Sequence, residues 1–373
     1  MADRTIEGVR AAMRVLAQQV EVLPAVGGAQ QEEERPDADE QVELILGRDE
    51  KLFEANWETD AAQLYRPLQP LTREQLHLYR YFQDGSYRSY FLGNLLEHDR
   101  ETPVLFAQIG ACQVHRRDDG TLQPADLEVK PYLFLALDQI SEPVRQSLLD
   151  AATANDVRVV NLQEEDELGQ RNPSDLRLRA QNKVRYKMHE QEVALALKRL
   201  ELLEDGAWLV VDGSLQFRPL LSRFSDDSPI PRLIGVAKSF RKDPLFAVGS
   251  GARKERYTLH RLLANLDTHH RTTAFGARGG GVVFWYLRLR PQGQMDYPLM
   301  GVVKVELVNP SKQRVDSSLI DQLSGALLAE RNATPHGVDR RWHAHLYPIF
   351  QAERYVQSRL MSREVIRQAL RWR

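Results

Sequence analysis

The sequence predicts an α/β fold, a layered arrangement in which one sheet mixes antiparallel and parallel strands and carries helices on its faces. Three observations in the 373 residues lead there. Segments rich in aromatic and β-branched residues, joined by tight-turn signals, read as three consecutive antiparallel strands. The apolar period then changes from two to that of a helix, and a short, wholly apolar segment follows that reads as a buried strand. Strands and helices that alternate in this way pack as layers around a shared sheet.

The elements follow in chain order. Residues 6–22 form an amphipathic helix, with Ile6, Val9, Met13, Leu16 and Val20 at helical spacing, ended by Pro24 and Gly27-Gly28. Residues 29–40 (AQQEEERPDADE) read as an acidic linker. Residues 1–60 are therefore expected to be an accessory arm that packs on a partner or a second subunit, and 61–373 the body. From 76 to 82, Leu76, Leu78, Arg80 and Phe82 alternate with His77, Tyr79 and Tyr81, and Asp84-Gly85-Ser86 reads as the turn that closes this strand. Residues 103–114 (PVLFAQIGACQV) and 127–137 (LEVKPYLFLAL) form a hairpin through Asp118-Asp119-Gly120, with Pro131 predicting an edge or a bulge. Helices are predicted over 142–152 and 175–203, the second opened by a Ser174 cap. Residues 207–211 (AWLVV) are the buried strand, flanked by Asp205-Gly206 and Asp212-Gly213-Ser214. Strands over 233–239, 282–289 and 299–307 and helices over 318–331 and 352–370 complete the chain, and no solenoid-length repeat is visible.

Charge separates the two parts. Residues 1–60 hold 15 acidic and 6 basic side chains, although the whole chain balances 50 Lys+Arg against 52 Asp+Glu. The body is therefore basic, most densely over 331–373, with nine arginines, and over 171–190, with six basic residues. A body basic in patches attracts polyanions. The single cysteine, Cys112, excludes an internal disulfide framework and a cysteine-based zinc cluster, and fits a reducing compartment. Mid-strand, it is expected to be buried and inert. No apolar run is long enough to span a bilayer and the N-terminus shows no secretory pattern, so a soluble, cytoplasmic protein is expected.

Chemistry concentrates at carboxylates. Asp-Gly-Ser occurs twice after a predicted strand, at Asp84-Gly85-Ser86 and Asp212-Gly213-Ser214. Carboxylates at neighbouring strand ends can hold a hard divalent cation. Asp-Gly is also the common hairpin pair, as at Asp119-Gly120 and Asp205-Gly206. On the helix between them, Glu192 shares a face with Met188, Leu195 and Ala196, where a charge wants a metal or a basic partner; Glu190 competes for that role. His260 and His269-His270 read as solvated or nucleic-acid-proximal loop residues. Gly279-Gly280-Gly281 lacks the Lys-Ser/Thr of a nucleotide-binding loop and reads as a flexible turn. Phe284, Trp285 and Tyr286 point to both sheet faces and read as core.

The order of these elements, with Ile234-Gly235-Val236-Ala237-Lys238-Ser239 and the stretch His345-Leu346-Tyr347-Pro348-Ile349-Phe350-Gln351-Ala352-Glu353, resembles the NurA family of DNA-end-processing nucleases over about residues 70–373. The resemblance implies an RNase H-like fold and a Mn²⁺- or Mg²⁺-dependent site. Its ligands would be Asp84, Glu192 (or Glu190), Asp212 and Glu353, with Lys238 near the scissile phosphate. DNA contacts would come from Lys183, Arg185, Lys238, Arg241, Lys242 and Arg354. It further implies a homodimer working with a HerA-type hexameric ATPase, 5′–3′ exonuclease and single-strand endonuclease activity, and a place in DNA end resection, repair or antiviral defence. Two positions depart from the family: Glu353 stands where it often has histidine, and His345 where it often has tyrosine. In that family a Tyr-Pro strand leads into an Ala-His pair that opens the last helix. The departure at Glu353 keeps a catalytically silent DNA- or ATPase-binding adaptor as the alternative; an RNA-directed nuclease is a third reading.

Overall fold

A computed structural model describes residues 2–32, 50–60, 63–72, 78–163, 175–249, 254–293, 297, 299–334 and 343–372. The chain opens with helix α1 (Ala2–Gln19), followed by short strands β1 (Glu21–Pro24), β2 (Gln30–Gln31), β3 (Leu52–Glu54) and β4 (Tyr65–Pro67). Long strands β5 (Tyr79–Glu97), β6 (Arg100–Arg116) and β7 (Leu122–Leu135) come next, then helix α2 (Glu142–Thr153), β8 (Arg158–Asn161) and helix α3 (Leu176–Leu200). Beyond them lie β9 (Trp208–Asp212), α4 (Arg218–Leu221), β10 (Leu233–Ala237), β11 (Leu245–Val248), β12 (Glu255–Thr258) and α5 (Leu259–Ala264). The chain ends through β13 (His270–Thr272), β14 (Phe275–Ala277), β15 (Val282–Arg288), β16 (Val302–Val308), α6 (Ser317–Ala329), α7 (Tyr347–Arg359) and α8 (Arg363–Ala369).

The α/β expectation holds: a large mixed sheet runs β4-β13-β15-β16-β10-β9-β5-β6-β7-β8, with helices on its faces. β5, β6 and β7 form the antiparallel meander, while β9 lies parallel to both β5 and β10. Pro131 sits where β7 is still an edge, one residue before β8 begins to pair at Tyr132. Alternation divides the central side chains between two cores. Phe82, Val210, Val236, Trp285 and Val305 pack under α6 and α7, against Ile320, Leu323, Ile349 and Val356. Tyr81, Leu209 and Val211 pack on the opposite face, against Ala196 of α3. A second sheet, β12-β11-β3, packs on the β14–β15 end through Phe53, Phe246 and Phe284.

Several expectations are corrected. Asp84-Gly85-Ser86 is not a turn; β5 runs straight through it, held in register by β6 from Tyr81 to Glu97. The helix of the arm packs on its own chain. Val9, Met13 and Leu16 of α1 are buried with Tyr90, Leu92, Leu135, Val144 and Leu148, because its apolar stripe finds a matching surface on its own chain. β1 and β2 pair with the far half of β5, and β3 pairs with β11. Of the acidic linker, residues 33–40 lie outside the described residues, as does Ser174; the cap of α3 is Asp175, whose carboxylate accepts from Arg177 N and Leu178 N. The last predicted helix is two, α7 and α8, broken at Leu360–Ser362, where Arg88 donates to the Leu360 and Met361 carbonyls. Tyr347-Pro348 opens α7 rather than forming a strand, since proline suits the first helical turn. Gly280 is not a loose turn: a β-carbon there would stand 1.9 Å from the Trp57 ring. Among the described residues, no helix is long and apolar enough to cross a membrane.

Candidate metal centre

Asp84, Asp212 and His345 converge, with one ligand atom from each lying within 4.8 Å of the others. Topology brings them together. β9 pairs with β5 only as far as Val211 opposite Gln83, and the same side of β5 regains a strand partner only at Tyr90 and Phe91, in β2. Among the described residues, the sheet therefore has a gap beside Asp84. Asp212, the last residue of β9, stands at its rim, two residues beyond Val210 and so on the same face as Phe82 and Asp84. Gly213 follows with φ +91°, a left-handed turn that a side chain would resist, and its N–H donates to Val236 O. Lys238, just past β10, sets its Nζ 2.8 Å from Asp212 Oδ2. His345 enters from the strand-like approach to α7, where its carbonyl accepts from Ala333 N.

The electrostatics are those of crowded carboxylates. Asp84 is 6% exposed and its Oδ1 accepts from Gly85 N. Burial, then the charges of Asp212 and Glu353, push its carboxyl well above the usual range; Lys238 pulls it back only in part. Burial works to lower the Lys238 ammonium, but Asp212 and Asp84 outweigh it and hold it above its ordinary value. Asp212 Oδ1 is buried and accepts no hydrogen bond among the described residues. A buried carboxylate oxygen without a donor is costly unless something positive meets it. Two carboxylates and an imidazole form a donor set that suits a divalent cation, and the orphaned oxygen fits one.

The proposed residues divide. Glu353, on α7, is close enough to act on Asp84, and its Oε1 accepts from Gln357 Nε2. Glu192 approaches from the other face. Its carboxylate lies on Gly85, on the α3 side, with Oε2 2.8 Å from His189 Nδ1 and its own carbonyl held by Gln83 Nε2. Consecutive strand residues face opposite ways, so Asp84 and Glu192 reach the gap from opposite sides of the sheet. Glu190 is not part of the centre; it pairs with Lys187 and lines a separate cleft with Lys130, Tyr132 and Arg158. Lys183 and Arg185 are buried and bonded to Asn161 O and Tyr87 Oη, which takes them from any DNA-facing surface. Arg241 is engaged by Asp243, whereas Lys242 and Arg354 are exposed.

His345 is not among the ligands expected from the sequence, where its signal was that it stands in place of the family's tyrosine. Glu306 carried no sequence signal; its carboxylate, fully buried on β16, accepts from Ser214 Oγ, Leu215 N and Gln216 Nε2 and pairs with Lys304. Glu306 thereby clamps the loop that carries Asp212. Cys112 is buried as expected, and burial lifts its thiol to about 12. Phe284, Trp285 and Tyr286 are core, the Trp285 indole donating to Ser324 Oγ. His260, His269 and His270 form no metal-binding group among the described residues. No family model and no curated protein matches the chain.

Proposed function

We propose that the protein is a metal-dependent phosphodiesterase acting on DNA, a nuclease of NurA type on an RNase H-like sheet. One observation carries this reading: Asp84, Asp212 and His345 meet at a gap in the sheet, with the Lys238 ammonium 2.8 Å from Asp212. The antiparallel meander continuing into two parallel strands, with the first carboxylate mid-strand and the second at a strand end, supports the RNase H-like part. Asp84, Asp212 and His345 would hold the cation, with Glu353 and Glu192 flanking it. Mn²⁺ suits the set better than Mg²⁺, because an imidazole joins the oxygens. When bound, such an ion supplies a Lewis acid and a water acidic enough to attack at neutral pH.

The residues supply the rest. Lys238 offers a fixed positive charge to a phosphate oxygen. The Glu306 clamp keeps Asp212 in place, and Asp84 would have to give up its proton to serve as a ligand. A homodimer fed by a HerA-type ATPase belongs to the same reading and is tested by co-purification. The test of the activity is end-labelled DNA incubated with Mn²⁺, with chelator as control. Cleavage is expected, and its loss in both Asp84→Asn and Asp212→Asn. DNA that is bound but never cut, with any divalent metal, favours the silent adaptor; cleavage of RNA in preference to DNA redirects the substrate.

A further inference from the structure

α1, with α8 and the residues just past it, encloses a groove of about 220 Å³ lined by Arg10, Met13, Arg14, Gln368, Ala369 and Arg371. Among the described residues, no carboxylate lines it. Arg10 and Arg14 are one helical turn apart on α1, and Arg371, just past the C-terminal end of α8, brings a third guanidinium to the same groove. Like charges one turn apart repel by a few tenths of a kcal/mol when nothing offsets them. Two of the guanidiniums are oriented by the backbone. Arg10 donates through Nε to Ala369 O at 2.7 Å, and Arg371 through Nε to Arg367 O at 3.5 Å. Each of these bonds uses Nε and leaves the outer nitrogens for another acceptor. The buried Met13 forms an apolar floor.

We infer that this groove is a phosphate-binding site, distinct from the carboxylate centre, that takes a phosphate group of a nucleic-acid backbone or of a free phosphate ester. Arginine forks match phosphate oxygens bidentately, and a tetrahedral group with several acceptors can bridge donors from both helices, where a carboxylate offers only two oxygens. Among the described lining residues the guanidiniums outnumber every other polar group, which favours charge-based binding of a phosphate over recognition of one base. Because α1 and α8 both pack on the β5–β6 core, an anion here would also tie these two helices together.

The inference does not depend on the nuclease reading, and its test is run in chelator so that cleavage plays no part. Arg14 and Arg371 are exposed, so the double variant Arg14→Glu/Arg371→Glu is expected to fold; Arg14→Gln/Arg371→Gln serves the same comparison if it does not. Binding of a labelled single-stranded oligonucleotide is measured across salt concentrations, and the melting temperature is followed with inorganic pyrophosphate. The expected result is affinity about ten-fold weaker at 0.1 M salt and a log–log salt slope smaller by about 0.7 for each phosphate that is no longer neutralised. If the slope is unchanged but pyrophosphate raises the melting temperature of the wild type and not of the variant, the source is a free phosphate ester. Unchanged behaviour with both probes overturns the inference, as does binding of a polyglutamate peptide with no response to either phosphate.

Discussion

The carboxylate of Glu192 rests on the bare Cα of Gly85, where a β-carbon would stand 2.6 Å from its Oε1. Glycine mid-strand weakens a sheet, so its presence here reflects close approach rather than a turn. Gly85→Ala should fold, since the obstructing atoms belong to one side chain that can swing aside, at a cost of about 1 kcal/mol. Displacing Glu192 by about an ångström should nevertheless lower DNA cleavage by about 100-fold. Thermal melting and a cleavage assay on the same preparation separate the two effects.

Asp84 provides a pH signature. Its proton is held more tightly folded than unfolded, so its contribution to stability is complete in acid and is lost as pH rises through the raised folded value. Asp84→Asn removes that dependence along with the buried charge. In chelator the variant should be more stable than wild type by about 1–2 kcal/mol near neutral pH, with the gap closing in acid. Added Mn²⁺ should raise the melting temperature of the wild type alone. A wild type that stays the more stable at neutral pH in chelator would contradict the raised carboxyl.

Glu306 is the support to remove from beneath Asp212. Glu306→Ala leaves the Lys304 ammonium without its carboxylate and three donors of the 214–216 loop without their acceptor. A loss of about 3–5 kcal/mol is expected by denaturant unfolding. Glu306→Gln, which retains one acceptor oxygen, should lose less.

Glu58 tests whether residues 50–60 belong to the body. It pairs with Arg271, both fully buried, and also accepts from Thr273 Oγ1 and Ala274 N. Burial works to raise its carboxyl, but the Arg271 bonds outweigh it and hold the group below its usual value. Its stabilisation is therefore present above the unfolded carboxylate pKa and fades as pH falls through the folded one, the opposite sign to Asp84. Glu58→Ala should cost about 3 kcal/mol by the same unfolding measurement.

Deleting residues 2–19 gives a fifth outcome. It would bare Val144 and Leu148 of α2 and open the apolar cluster they share with Tyr90, Leu92 and Leu135, so the truncated chain should aggregate or melt far below wild type even without any partner. A truncated chain that melts with the wild type would restore the expectation of an accessory arm that packs on a partner or a second subunit.

The meander, the buried strand 207–211 and most of the helices were legible because each has a local cause: alternation, an Asp-Gly turn or a 3.6-residue stripe. Boundaries failed where the signal was ambiguous. Asp-Gly-Ser at 84–86 has turn chemistry, yet sixteen ladder partners in β6 carry β5 through it. A helical stripe such as that of α1 shows that a face will be covered, not by what.

The sequence by itself determined which residues had chemistry to offer: two aspartates placed by strands, a glutamate on the helix between them, and a lysine past the next strand. Tertiary structure alone decided who meets whom. Strand alternation sends Asp84 and Asp212 to one side of the gap, where the approach to α7 adds His345, while α3 brings Glu192 from the other side and helical rotation turns Glu190 away into a different cleft. Parity along a strand can be read from residue numbers once the strand is known. The pairing of β5 with β9, and the place where that pairing stops, depends on residues more than a hundred positions apart, which no local pattern encodes.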